Sequence, residues 1–445
     1  MSSADALKQE LRHIFVLAVP MVVGQLSLLG LQTTDVVLVG HVDKLSLGGI
    51  ALGQTISMFI FLMTMGIVQG MSTLISQAFG AGDKETCGRV LISGLYLSGV
   101  LGLLCTLMMQ KAGWMLELLG QDPALSAIAQ QYLVFLSLGY PFTLMFMALR
   151  YFTEGLGIAQ PGMRIAMAAL PVNAALGYLV LFEPFGLPSF GVAGMGAVTA
   201  LVSFLLFVGM AWYVLGGARF EEYSLRRVWR GPRLGEIQNI LAVGMPVGVA
   251  MTMEVGAFSA GALMMGKLGV VPMAAHQVVI NLASLTFMVP MGIAMAGSVR
   301  VGQAVGSGDH EGMQRAGWTT LGASMGVMVL NGLIFLTLPE HLVRLYTPDV
   351  EVQALAVQIL MVAAAFQIGD GVQVAGISIL RGLKDTRIPM LISIAAYWGI
   401  GVGSAWLLGF KLEWGPLGIW WGLCLSLWVA AFCHVVRFAY RSRRL

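Results

Sequence analysis

Three acidic residues stand inside long apolar stretches of this sequence. They are Asp35 in "QTTDVVLVG", Glu254 in "TMEVGAF" and Asp370 in "IGDGVQ". A charged carboxylate in the core of a bilayer costs roughly 2.5–3.5 kcal/mol on insertion scales. The sequence puts no Lys or Arg at comparable depth, so we do not expect a static ion pair within the membrane. The remaining partners for these acids are a proton, a metal cation or an organic cation.

Each of these partners makes a different demand on the three acids. A low-dielectric environment favours the neutral form of a carboxyl group, so proton uptake near neutral pH is plausible. Two carboxylates brought together would also suit Na⁺, a hard cation that takes oxygen ligands. Glu254 and Asp370 lie in the same half of the chain and are the candidate pair. The competing interpretation is structural: each acid stays protonated, bonds a backbone carbonyl and only fixes helix packing. Acids at such depth are rare, so we favour the functional interpretation.

Polar residues near these acids allow two interpretations. The polar side chains within the apolar stretches include Gln25, Gln32, Asn173, Gln277 and Asn281. They could form hydrogen bonds between helices, worth about 0.6 kcal/mol on average in membranes, or they could line a cavity. A single His276 in "AAHQVVINL" is better explained by packing than by proton relay.

The composition predicts an integral membrane protein. Of the 445 residues, 58% are hydrophobic and only 11% are charged, and the mean hydropathy is +0.83. A soluble domain averages about 25% charged residues. This chain therefore needs the bilayer as its solvent.

Apolar runs of about 20 residues predict twelve transmembrane helices. The predicted spans are 14–39, 48–72, 87–110, 127–150, 161–183, 190–216, 239–265, 273–300, 313–337, 352–380, 387–409 and 415–438. With a cytoplasmic N-terminus, 20 of the 25 Lys and Arg residues fall on the inner side. This asymmetry favours cytoplasmic N- and C-termini, and it explains the basic clusters without nucleic acid.

The two halves of the sequence repeat each other. "GIVQGMSTLISQAFGAGDKE" at 66–85 matches "GIAMAGSVRVGQAVGSGDHE" at 292–311 with an offset of 226 residues. The same offset relates Pro20 to Pro246. Because each half has an even number of helices, the repeat is parallel, with its axis along the membrane normal. We therefore predict an all-α integral membrane fold of two six-helix lobes.

The repeat also predicts the domain organisation. We expect an N-lobe over 1–218, a cytoplasmic linker over 219–238 and a C-lobe over 239–445. Transporters built from such repeats bind substrate between the halves and rock them alternately. The acids are not repeat mates, since Asp35 lies 15 residues after Pro20 whereas Glu254 lies 8 residues after Pro246.

Two other classes fit the sequence less well. An integral-membrane enzyme is disfavoured, because the chain shows no catalytic Ser/His/Asp constellation, metal-ligand cluster, Walker motif or large loop. A channel is disfavoured, because duplicated halves with unpaired buried acids suit alternating access better.

Several longer motifs resemble one transporter family. They are "AAHQVVINLASLTFMVPMGIAMAGSVRVGQAVGSGD" (274–309), "SQAFGAGD" (76–83), "TDVVLVGHV" (34–42), "GLPSFGVAGMGAVTA" (186–200) and "LRGLKDTRIPM" (380–390). Together they resemble the signature of the multidrug and toxic compound extrusion (MATE) family. The combination of Glu254 with Asp370 resembles the NorM-type branch of that family.

The resemblance implies roles for individual residues. It implies coupling-cation ligands at Glu254 and Asp370, and it makes Asp35 the acid of the first lobe with Asn173 as a possible partner. Gln277 would line the second-lobe cavity, with Asn281 and Gln32 as further cavity candidates. Phe366 departs from the NorM-type pattern, which has an aromatic hydroxyl there. A phenyl ring offers a cation its π face but no oxygen, which weakens the case for Na⁺ and strengthens that for H⁺.

The resemblance also implies the function. It implies a monomer in the inner membrane of a prokaryote that exports cationic, often aromatic drugs or dyes in exchange for inward Na⁺ or H⁺. No cofactor is expected beyond the coupling ion. The alternative within the wider superfamily is a lipid-linked precursor flippase, which would want basic residues in its cavity for pyrophosphate.

Overall fold

The computed structural model describes residues 3–41, 44–118, 120–182, 190–223 and 231–444, and these ranges are helical throughout apart from turns. The helices are α1 Ser3–Gly40, α2 Lys44–Gly80, α3 Lys84–Met109, α4 Ala112–Leu118, α5 Pro123–Ser137, α6 Tyr140–Gly155, α7 Gln160–Phe182, α8 Gly191–Gly216, α9 Leu234–Leu268, α10 Val270–Gly306, α11 His310–Thr337, α12 Pro339–Arg344, α13 Val350–Gly382, α14 Arg387–Lys411 and α15 Gly415–Ser442. Residues 224–230 of the expected linker and 186–189 of the family-like motif lie outside the described residues.

Length and hydropathy make this a multi-pass membrane protein. Eleven of the described helices are long and apolar enough to cross a bilayer. The count becomes twelve if α5 and α6 form one span bent by 48°. This agrees with the predicted twelve-helix class, and the bent pair occupies the predicted span 127–150. Pro141, which lacks an N–H group, lies at the start of α6, where the chain bends.

The repeated Gly-x-Gly-Asp motif ends one helix and starts the next in both halves. Gly82 and Gly308 adopt left-handed φ values of 72° and 71°, which suit a residue without a Cβ. Asp83 then caps α3 by accepting a 2.9 Å hydrogen bond from the Thr86 amide. Asp309 caps α11 in the same way, through the Gly312 amide at 2.8 Å. The hydrogen bonds from Thr86 lower the pKa of Asp83.

The chain divides into two compact units, each of which is described by itself. One unit comprises Val23–Gly248. Within it, α2 and α9 approach so closely that a Cβ on Gly70 would lie 2.8 Å from the backbone of Gly244. Small residues permit such backbone contacts between membrane helices.

The other unit comprises Met1–Val22 with Val249–Leu445. One core cluster of this unit is built from residues of all its helices from α9 to α15. Trp420, Phe366 and Tyr397 are among its fully buried side chains. Phe366 lies in α13, one turn before Asp370.

Buried acids at the ends of the membrane helices form ion pairs with arginine. Glu10 in α1 receives two hydrogen bonds from the guanidinium of Arg300 in α10, at 2.8 and 2.9 Å. In the Val23–Gly248 unit, Arg150 and Glu154 of α6 pair at 2.6 Å, and both side chains are only 2% exposed. These acids are therefore buried together with a compensating positive charge.

Candidate functional site

Asp35 is held by hydrogen bonds from two other helices of its unit. It lies in α1 and is 1% exposed. Its Oδ1 accepts a hydrogen bond from Asn173 Nδ2 in α7 at 2.7 Å, and its Oδ2 accepts one from Thr199 Oγ1 in α8 at 2.8 Å. The acid and its amide partner, which the family resemblance put together, are therefore in contact.

The Thr199 hydroxyl can serve either protonation state of Asp35. It has one proton and two acceptors within reach, namely Asp35 Oδ2 and the Met195 carbonyl at 3.0 Å. When Asp35 is ionised, Thr199 can donate to it. When Asp35 is protonated, its O–H can donate to Thr199, whose own proton then turns to Met195. Both carboxyl oxygens of Asp35 and the Thr199 hydroxyl can thus keep a hydrogen-bond partner whether or not Asp35 carries a proton.

Glu254 in α9 and Asp370 in α13 interact electrostatically within the other unit. Glu254 is half-buried and Asp370 is 6% exposed. The two carboxyl groups are close enough for their charges to repel each other. Asp370 Oδ1 has no hydrogen-bond partner among the described residues. An unpaired carboxylate oxygen beside a second carboxylate is a donor set that fits a proton or Na⁺.

Aromatic residues form the wall around this acid pair. Phe366, one turn before Asp370, packs against Phe258 and Trp420 with ring centroids 5.8 and 5.3 Å away. The side chain of Tyr397 in α14 is 1% exposed, and its hydroxyl lies beside the carboxyl group of Glu254. The site therefore contains an aromatic hydroxyl, although position 366 does not supply it.

The other predicted polar residues form no hydrogen bond with the acids among the described residues, and their place in a cavity stays a prediction. Gln32, Gln277 and Asn281 are exposed, and the hydrogen bonds of the described residues join none of them to an acidic side chain. Asn281 accepts instead from the Tyr346 hydroxyl at 2.8 Å. Gln25 accepts from Arg150 at 3.3 Å. His276 is buried against the ring of Trp420, which agrees with a packing role.

Two residues of these sites were not predicted from the sequence. Thr199 lies in "GAVTALVS" and Tyr397 in "AAYWGIG", where each polar group interrupts an apolar run. That interruption is the only signal in the sequence, and it does not indicate which acidic residue each of the two hydroxyl groups contacts. In the described ranges, no three His, Cys, Asp or Glu side chains come together as a metal cluster.

The sequence matches one family model and full-length relatives. The MatE family model matches residues 20–179 and again residues 246–407, so it matches each half once. A protein of Xanthomonas campestris pv. campestris named "Probable multidrug resistance protein NorM" is 36% identical, and the match covers 100% of this chain and 97% of the relative. A protein of the same name from Pseudomonas putida is 35% identical over 98% of this chain and 96% of its own length.

Solved structures share the fold. A crystal structure of the eukaryotic MATE transporter AtDTX14 superposes with a TM-score of 0.87 at 20% identity, covering 98% of both chains. A multidrug resistance MATE family transporter in an outward-facing conformation superposes with a TM-score of 0.88 at 20% identity, covering 98% of this chain and 96% of its own. A MOP superfamily transporter from Pyrococcus furiosus superposes with a TM-score of 0.87 at 19% identity, covering 98% of this chain and 96% of its own. That transporter is described as having a binding pocket of reverse polarity, which suggests a different function for it.

Proposed function

The chain belongs to the MATE family of membrane transporters and is not an enzyme, and from that premise we propose that it exports organic cations in exchange for inward Na⁺ or H⁺. The relatives named as probable multidrug resistance proteins support drug efflux as the direction of transport. Alternating access of two lobes, as the parallel repeat predicts, would carry out the exchange.

The observation that carries this proposal is the difference between two kinds of buried acid. Glu10 and Glu154 are paired with arginines. Asp35, Glu254 and Asp370 make no ion pair with a basic residue anywhere in the described part of the chain. A buried carboxylate without a fixed counter-charge is stable only when it binds a proton or another cation. These three acids therefore favour a transported positive charge.

The coupling cation fits the residues of both sites. If the cation is a proton, Asp35 can accept it with the exchange of hydrogen bonds at Thr199 described above. If it is Na⁺, the carboxylate oxygens of Glu254 and Asp370 would hold it, and the unpaired Asp370 Oδ1 supports such a ligand role. A bound cation would neutralise the negative charges of Glu254 and Asp370, which would otherwise repel each other.

Antiport follows from competition for the same negative charge. An organic cation and the coupling cation both need the carboxylates, so occupancy by one lowers the affinity for the other. In the outward-facing state of the transporter, the acids accept Na⁺ or H⁺ and release the organic cation. In the inward-facing state, the coupling cation leaves and a new substrate takes its place. Aromatic rings near Asp370 would suit flat, cationic substrates.

The flippase alternative needs positive charge at the substrate site. The fold alone does not decide this, because the transporter from Pyrococcus furiosus shares it. In this chain the deeply buried Arg150 is already paired with Glu154, so it does not offer a binding site for pyrophosphate. The unpaired interior charges in the described residues are acidic, which favours cationic substrates.

Dye movement in proteoliposomes tests the proposal. The purified protein is reconstituted and a Na⁺ gradient or a pH gradient is imposed separately, with a cationic aromatic dye as the reporter. Movement driven by either gradient supports the proposal and identifies the ion. Absence of dye movement under both gradients, with folded protein, would reject cation antiport and leave the flippase alternative.

A further inference from the structure

The first helix of each sequence repeat begins with a glutamate that binds an arginine of the other repeat. Glu10 of α1 and Glu236 of α9 are related by the repeat offset of 226 residues. Glu10 accepts two hydrogen bonds from Arg300 of α10, at 2.8 and 2.9 Å. Glu236 accepts one from Arg89 of α3, at 3.4 Å. The two ion pairs are therefore reciprocal, because each repeat supplies one glutamate and one arginine.

Both of these ion pairs are partly withdrawn from water. The side chains of Glu10 and Arg300 are 6% and 27% exposed, and those of Glu236 and Arg89 are 16% and 25% exposed. Opposite charges attract each other more strongly in such surroundings than at an open surface. Arg89 also pairs at 2.9 Å with Glu85 of its own helix, but Glu85 is 64% exposed. The two buried glutamates thus join helices of different repeats, whereas Glu85 joins nothing beyond α3.

Close backbone packing follows the same exchange between repeats. A Cβ on Gly66 of α2 would lie 2.3 Å from the backbone of Gly248 in α9. A Cβ on its repeat mate Gly292 of α10 would lie 2.3 Å from the side chain of Val22 in α1. The division into compact units falls directly after Val22 in α1 and directly after Gly248 in α9, again at the repeat offset. The starts of α1 and α9 are therefore each packed on helices of the opposite repeat.

We propose that the Glu10–Arg300 and Glu236–Arg89 ion pairs are two latches that hold one side of the transporter closed and open together. This inference rests on the alternating access of the proposed function. With α5 and α6 counted as one span, the starts of α1, α3 and α9 and the end of α10 lie on the same side of the membrane. When one repeat rocks against the other, contacts between the repeats on that side exist only while that side is closed. Loss of either latch therefore favours the state that is open there.

Alkylation of buried cysteines tests the latches without measuring transport. Ile14 of α1 and Ile240 of α9 are repeat mates with no exposed surface, so a cysteine at either position reacts only when its helix start separates. Ile14→Cys and Ile240→Cys are made singly in the full-length protein, reconstituted in liposomes and treated with a water-soluble maleimide. Mass spectrometry of the labelled peptides distinguishes each reporter from the native cysteines. We expect Glu10→Gln to raise the alkylation rate of both reporters by about tenfold, the factor that one charge-assisted hydrogen bond commonly contributes.

The reporter on the other helix distinguishes a latch from a local helix contact. If Glu10 only docks its own helix, Glu10→Gln raises alkylation at Ile14→Cys and leaves Ile240→Cys unchanged, and that result would overturn the inference. Glu85→Gln is the matched control, because it removes a carboxylate from Arg89 but keeps the bond to Glu236. It should leave both rates unchanged.

Reversal of the charges tests whether the ion pair itself is responsible. The double variant Glu10→Arg, Arg300→Glu restores an ion pair and should return both alkylation rates towards those of the unmodified protein. Rates that stay raised in the double variant, with thermal unfolding confirming a folded protein, would contradict the inference. Dye movement under an ion gradient, with neither reporter affected by Glu10→Gln, would overturn the latches and leave the proposed function supported.

Discussion

Replacement of Asp35 by Asn removes a buried charge while keeping the shape of the site. The amide oxygen of an Asn at this position can accept from Asn173, as Oδ1 does now. The amide nitrogen can donate to Thr199 Oγ1, because the threonine proton can turn to the Met195 carbonyl at 3.0 Å. The new amide, Asn173 Nδ2 and the Thr199 hydroxyl would therefore stay hydrogen-bonded. We therefore expect the free energy of unfolding to change by less than about 1 kcal/mol.

The effect on transport should be much larger than the effect on stability. A carboxylate attracts a unit positive charge 4 Å away by about 4 kcal/mol at an effective dielectric constant of 20. Since 1.4 kcal/mol corresponds to a factor of ten, loss of that charge lowers the affinity for a cation by about three orders of magnitude. At coupling-ion concentrations below saturation, dye export by Asp35→Asn should fall to the background of empty liposomes.

Thr199→Val is the matched control for this experiment. It keeps the carboxylate and loses one hydrogen bond, so it should cost about 1–2 kcal/mol of stability and lower dye export less than Asp35→Asn does. Thermal unfolding in detergent and dye export in proteoliposomes are measured on the same preparations. If Asp35→Asn is folded and exports dye at the unmodified rate, its charge takes no part in transport and Asp35 only fixes helix packing.

Three further predictions concern the remaining buried and capping acids. Glu254→Gln and Asp370→Asn should each reduce dye export by at least tenfold with both proteins folded; export at the unmodified rate in either would remove that acid from the mechanism. Glu154→Gln should lower the free energy of unfolding by about 3 kcal/mol, because it leaves Arg150 as an uncompensated buried charge. Adding Arg150→Leu should restore much of that loss. Unchanged thermal unfolding of Glu154→Gln would contradict this prediction. Asp83→Ala should destabilise α3 by about 1 kcal/mol through loss of its cap. Because the pKa of Asp83 is lowered on folding, its contribution is complete at neutral pH and is lost as the pH falls below about 4, so the Ala variant and the unmodified protein should converge in stability in acid.

Hydropathy and the internal repeat were sufficient to predict the class of fold. Apolar runs locate membrane spans because every span must be long enough to cross the hydrocarbon core. The repeated Gly-x-Gly-Asp motif also has a local physical cause, since Gly82 and Asp83 together form a turn and a cap. The short helices α4 and α12 and the bend at Gly139 were not predicted, because tertiary packing decides them rather than hydropathy. The expected lobe boundaries and the cytoplasmic location of both termini stay predictions.

The candidate sites were predictable only as far as charge burial reveals them. Asp35, Glu254 and Asp370 stand out because a carboxylate in an apolar helix is costly. Thr199 does not, because a threonine hydroxyl can bond the backbone of its own helix. Tyr397 does not either, because a tyrosine side chain is mostly apolar and is ordinary in an apolar stretch. Asp35 and Thr199 are separated by 164 residues in the sequence. Such a contact depends on how helices pack, which a single sequence does not specify.

Obligatory exchange is the central claim, and uphill movement of the coupling ion tests it most directly. Proteoliposomes receive an outward gradient of a cationic dye and no initial gradient of Na⁺ or H⁺, while internal Na⁺ and pH indicators are followed. Antiport predicts that dye leaving the vesicles drives one of these ions inward against the gradient that develops. The triple variant Asp35→Asn, Glu254→Gln, Asp370→Asn should show no such movement. Dye export without any countermovement of Na⁺ or H⁺ would contradict the exchange mechanism.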